Sequence, residues 1–161
     1  MKRILFVLIL SLSNVVFGQQ PVTDLGFAGT SIITDGLILH LDAGNTDSYS
    51  GSGNTWNDLS GNNYNATISG ATFNSNGKYF YFDGSNDYVN TNKTASQFGI
   101  YNTNYTMEAV FRVPNTGRGD NMVFGTNQTS TGRGLHNGTR GTRFYFGHYS
   151  QDISSGDIVS T

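Results

Sequence analysis

The residues able to do chemistry are few. Glu108 is the single glutamate of the chain and stands between Met107 and Ala109. Retaining hydrolysis of a glycoside needs two carboxyl groups about 5 Å apart, one as nucleophile and one as acid. A lone carboxylate on a strand lacks that partner, and Arg112, four residues along on the same strand face, offers it a structural ion pair instead. His40, His136 and His148 are far apart and show no short metal-ligand spacing. Cysteine is absent, so zinc loses its thiolate ligands and no disulfide can form. Serine, histidine and aspartate are all present, but in no nucleophile turn. These residues predict a protein that is not an enzyme.

Two further sets could bind rather than react. Asp83-Gly84-Ser85-Asn86-Asp87 gathers hard oxygen donors, and Asp83, Asn86 and Asp87 are the candidate ligands for calcium, the one cofactor expected. The same residues are also good turn formers between two strands. For sugars, the useful groups are aromatic rings that stack on a pyranose face beside amide and carboxylate partners. Tyr49, Trp56, Tyr64, Tyr101 and Tyr149 lie in or beside polar loops and are the candidates, although a lone Trp in a loop also suits a plug over the core. Arg118-Gly119-Asp120 spells an adhesion tripeptide on a Gly-rich loop.

The elements that must position these groups follow from composition and pattern. Lys2 and Arg3, the apolar run Ile4 to Leu12, and Val16-Phe17-Gly18 form a secretory leader over residues 1–18, with cleavage before Gln19. The run is too short to span a bilayer, which takes roughly 20 residues, so the expected destination is secretion or the cell surface without membrane insertion. A net charge of −2 with no basic stripe argues against nucleic acid. Gly, Asn, Ser and Thr abound, yet 13% aromatic residues supply too much buryable surface for a disordered chain.

Residues 19–34 read as a linker or lead-in strand, and the folded domain as 35–161. Gly36 to Asp42 places three leucines on one face of a strand, with Ile38, His40 and Asp42 on the other. Residues 43–63 read as a long loop anchored by Trp56 and Leu59. Strands are expected over 64–68, 78–83, 88–91, 105–113, 121–126 and 143–149, each bounded by Gly, Asn or Asp. Helix is limited to a turn near Thr94 to Phe98. Two packed antiparallel sheets satisfy this pattern.

Three stretches in order, Gly36-Leu37-Ile38-Leu39-His40-Leu41-Asp42-Ala43-Gly44, Thr55-Trp56-Asn57-Asp58-Leu59-Ser60-Gly61-Asn62 and Tyr81-Phe82-Asp83-Gly84-Ser85-Asn86-Asp87-Tyr88-Val89, resemble the opening half of LamG-like jelly-roll domains of the concanavalin A-like lectin/glucanase superfamily. His40 departs from that pattern, where an aromatic residue is common. The resemblance implies an all-β, antiparallel two-sheet sandwich of jelly-roll type, incomplete at its C-terminus and followed by further domain sequence. It also implies a non-catalytic module that recognises carbohydrate, a polysaccharide or surface glycan. The alternative is a protein-interaction or adhesion module of a larger surface protein, with an extracellular protein as ligand.

Overall fold

The computed structural model describes residues 2–7, 32, 34–101, 103–112, 119–126, 135–148, 150 and 152–157. They form an all-β chain of twelve strands with no helix among the described residues. In order these are β1 (Lys2–Val7), β2 (Leu37–Asp42), β3 (Thr55–Trp56), β4 (Ala66–Ser69), β5 (Thr72–Asn74) and β6 (Tyr79–Tyr81). The second half holds β7 (Tyr88–Asn90), β8 (Tyr105–Ala109), β9 (Asp120–Gly125), β10 (Leu135–Arg140), β11 (Arg143–His148) and β12 (Asp152–Asp157). They pair into four sheets, ordered β2-β1-β8, β12-β11-β10-β9, β3-β4-β7 and β5-β6. Every pairing is antiparallel except the two made by β1, which runs parallel to both its neighbours.

Local sequence explains the better-defined strands. In β2 the alternation delivers Leu37, Leu39 and Leu41 to the core, and the last two are wholly buried. Each such leucine contributes about 1.5–3 kcal/mol by leaving water. Phe80 is buried between the more exposed Tyr79 and Tyr81, again with period two. The turn at Thr94 to Phe98 closes a single helical turn through Phe98 N–H to the Thr94 carbonyl. Thr94 and Gln97 cap it reciprocally, the Thr94 amide donating to Gln97 Oε1 and the Gln97 amide to Thr94 Oγ1.

The loop expected over 43–63 is shaped by its aromatic residues as much as by its turns. Trp56 sits in the short strand β3 against β4. Tyr49, Trp56, Phe73 and Phe80 close into one aromatic cluster with ring centroids 4.7–5.3 Å apart, and Leu39, Leu41, Ile68, Phe98 and Ile100 extend it as the core.

The strand expected over 105–113 ends at Ala109. Its alternation holds as far as it goes, with Tyr105, Met107 and Ala109 half-buried and Thr106 and Glu108 exposed. Beyond Ala109 the strand geometry that would have set Glu108 and Arg112 on one face is gone. Their expected ion pair is not made, whereas His136 pairs with Asp152 and Arg140 with Asp120.

Between β8 and the four-stranded sheet runs an open groove of about 330 Å³ lined by Met107, Ala109, Phe124, Phe144, Phe146 and Ile153. Phe144 is 53% exposed and Ile153 71%, so this apolar face lacks a full cover among the described residues.

Candidate functional site

The aromatic residues singled out for sugar binding do not converge. Tyr49 and Trp56 are 5% and 4% exposed. Their rings pack edge-on or tilted against Phe73 and Phe80, and the Tyr49 hydroxyl donates to the Gly53 carbonyl at 2.8 Å. Neither offers a ring face to a ligand: the aromatic area that suited stacking is what draws both inside. Tyr64 is half-buried, edge-on to Phe98 with the Lys93 ammonium 4.9 Å from its ring centre. Tyr101 is exposed, and Tyr149 lies outside the described residues.

The loop between β6 and β7 does gather binding groups. Tyr81 at one end and Tyr88 at the other are each 56% exposed, and Phe82 is also exposed. Between them Asp83 Oδ1 accepts the Ser85 amide at 2.7 Å and Asp87 Oδ2 accepts the Asp83 amide at 2.9 Å. These two bonds, with Gly84 at φ 76°, hold the loop in shape. Gly70, at φ 78° in the turn from β4 to β5, lets Asp87 lie close by, because a Cβ there would strike the Asp87 carboxylate. The outcome is a fixed turn that presents carboxylate and amide groups between two outward-facing phenols.

Asp83, Asn86 and Asp87 therefore do share one loop, as the calcium expectation requires. The described residues contain no group of three or more acids, histidines or cysteines that could hold a metal. Both aspartates also serve as acceptors for loop amides, and the further oxygens of the six to eight that calcium takes would come from loop carbonyls and water.

A second polar surface lies on β9 to β11. The Tyr145 ring is stacked on His136 at 5.3 Å between centroids, and the Arg140 guanidinium lies 3.9 Å from the ring centre on the same residue. Arg140 grips Asp120 through two hydrogen bonds of 2.6 and 3.1 Å, and these hold the Asp120 carboxyl below its ordinary range. The carboxylate of the adhesion tripeptide is thus engaged within its own sheet, while Arg118 lies outside the described residues. Tyr145 is buried, which makes this a structural stack rather than a platform.

The Trp-Asn-Asp-Leu-Ser-Gly-Asn stretch turns out to be architecture. Asp58 accepts the amides of His40 and Ser60 on Oδ1 and the Tyr64 amide and Ser60 hydroxyl on Oδ2, at 2.7–3.0 Å. Asn62 Nδ2 reaches the carbonyls of Leu37 and Ile38. Sequence reasoning had no short-range signal for the ties to β2, which span 18 to 25 residues. It also missed Tyr81 and Tyr88, although the period of two around buried Phe80 already places Tyr81 outward.

Comparison with family models, curated proteins and solved structures finds no match for this chain.

Proposed function

We propose that this chain is a secreted or cell-surface binding module that recognises a polysaccharide or surface glycan without cleaving it, using the loop from Tyr81 to Tyr88. The observation that carries the reading is the pair of phenol rings, each more than half exposed, at the two ends of a loop rich in carboxylate and amide groups. Sugar hydroxyls need hydrogen-bond partners and the C–H faces of a pyranose need a flat apolar surface, and such a loop supplies both. Its likeness in sequence to LamG-like jelly-roll domains supports the same reading.

Cleavage is left out because Glu108, exposed on β8, is the single glutamate, and retaining hydrolysis needs a pair of catalytic carboxyl groups. The test is retention on a panel of immobilised polysaccharides. Tyr81→Ala and Tyr88→Ala should each weaken retention roughly fivefold, the equivalent of about 1 kcal/mol for a lost stacking face. Tyr101→Ala, 48% exposed and outside that loop in sequence, should leave it unchanged. Retention unaffected by either loop variant contradicts this surface. Binding to an extracellular protein ligand alone moves the module to the adhesion reading.

A further inference from the structure

The strand that carries Tyr88 belongs to the three-stranded sheet β3-β4-β7, and the register of that sheet sets what surrounds the ring. Thr55, Thr67 and Asn90 stand opposite one another across the three strands, and Ser69 stands opposite Tyr88. Directly paired residues share a sheet face, and so do residues two apart on one strand, so these side chains all point one way. Their sequence neighbours Trp56, Ala66 and Ile68 are buried in the core, and Val89 packs against it. The face with Tyr88 is therefore the outward one. On it Thr55, Thr67, Tyr88 and Asn90 are exposed and Ser69 is half-buried.

This face carries hydrogen-bonding groups and no charge. The hydroxyls of Thr55, Thr67 and Ser69 have no partner among the described residues. Asn90 Oδ1 accepts the Asn92 amide at 2.8 Å, which fixes the side chain and keeps its Nδ2 as a donor. Neutral groups of this kind match sugar hydroxyls, which both donate and accept. Adjacent strands lie about 4.8 Å apart, close to the length of one pyranose unit. The row from Asn90 through Thr67 to Thr55 thus offers one polar side chain per sugar to a glycan laid across the strands.

Charge decides the class of glycan. Residues 54–74 and 79–92, which hold β3 to β7, contain Asp58, Asp83 and Asp87 but neither lysine nor arginine. Asp58 is buried, its oxygens taken by His40, Ser60 and Tyr64, whereas Asp83 is exposed and Asp87 half-buried in the loop beside Tyr88. Lys78 and Lys93, the cations next to those stretches in sequence, lie over the rings of Phe73 and Tyr64. A uronate or sulfate ester brought here meets two like charges and no cation on the face itself, while a sugar hydroxyl can donate to either carboxylate. With the Tyr81–Tyr88 loop as the binding surface, the reading on which this one rests, we infer that the ligand is a neutral polysaccharide. It runs from the Tyr88 ring across the outward face of β3-β4-β7, with Asn90, Thr67 and Thr55 as its specificity-determining partners.

Retention of the full chain on hydroxyethylcellulose, xyloglucan, galactomannan and dextran, each before and after carboxymethylation, tests this. Retention is expected on at least one neutral polymer and should be roughly tenfold weaker on its carboxymethylated form. That gap should close in Asp83→Asn/Asp87→Asn, in which each Asn keeps an oxygen for the loop amides. Thr67→Ala/Asn90→Ala should weaken retention on the neutral polymer roughly tenfold. Thr67→Arg, which fills the row without touching the core, should do the same. Retention that depends on Tyr81 and Tyr88 but ignores both Thr67→Ala/Asn90→Ala and Thr67→Arg, or that is as strong on the carboxymethylated form, overturns the inference and leaves the loop as the binding surface. Retention on none of the polymers, in either form, removes the loop reading and this inference with it.

Discussion

The Asp58 carboxylate accepts the backbone amide of His40 at 2.9 Å, across 18 residues of chain. With the Ser60 and Tyr64 amides and the Ser60 hydroxyl on the same carboxylate, it pins the loop after β3 to the middle of β2. Removing it leaves several donors without their charged acceptor, and each such bond is worth about 1.5–3 kcal/mol. Asp58→Ala should therefore lower unfolding stability by about 3 kcal/mol or more, and Asp58→Asn by less, since one acceptor oxygen remains. Urea denaturation measures both. A loss under about 1 kcal/mol in Asp58→Ala would remove the carboxylate from its structural role.

His40 gives the fold a pH dependence. Burial lowers its pKa from 6.5, outweighing the charges of Asp42 and Asp58, which act to raise it. The unfolded chain then binds the proton more readily than the folded one, so this contribution to stability is present above the unfolded value and is lost as pH falls below it. His40→Gln should flatten the stability profile between about pH 7 and pH 5 relative to the native chain. Parallel profiles in the two proteins would show that His40 does not set this slope.

Gly138 is fixed by its neighbour across the sheet. A Cβ at this position would press into the Asn121 carbonyl and reach 2.8 Å from Met122 Cα, both of them backbone atoms that cannot rotate aside. Gly138→Ala should cost about 3 kcal/mol or prevent β9 from pairing with β10. Gly141→Ala meets open space and only the strain of φ 58°, so it should cost about 1 kcal/mol. Thermal melts of the two variants should separate accordingly. Equal melting temperatures would contradict the close approach.

Much of the fold was legible where side chains alternate. The leucines of β2, Phe80 between two tyrosines, and the run from Tyr105 announce strands because one face must leave water. β10, as Leu-His-Asn-Gly-Thr-Arg, shows no such alternation and is held in place by β9 and β11 on either side. β3 and β5, at two and three residues, are too short to carry a period. The site was harder to read because exposure is a tertiary property. Tyr49 and Trp56 sit in polar stretches yet are drawn inward by Phe73 and Phe80, while Tyr81 and Tyr88 sit in strands yet face out. Asp58 looks like any turn aspartate until β2 comes alongside.

The proposed function is binding to carbohydrate without cleavage through the Tyr81–Tyr88 loop. The most direct measurement follows retention and reducing-end release together on one panel of polysaccharides, for the native chain, the Tyr81→Ala/Tyr88→Ala double variant and Glu108→Gln. The account predicts retention on at least one polysaccharide with a dissociation constant of roughly micromolar to millimolar, loss of at least tenfold in the double variant, no change in Glu108→Gln, and no release of sugar by any of them. Release that disappears in Glu108→Gln, or firm retention that survives loss of both tyrosines, would contradict it.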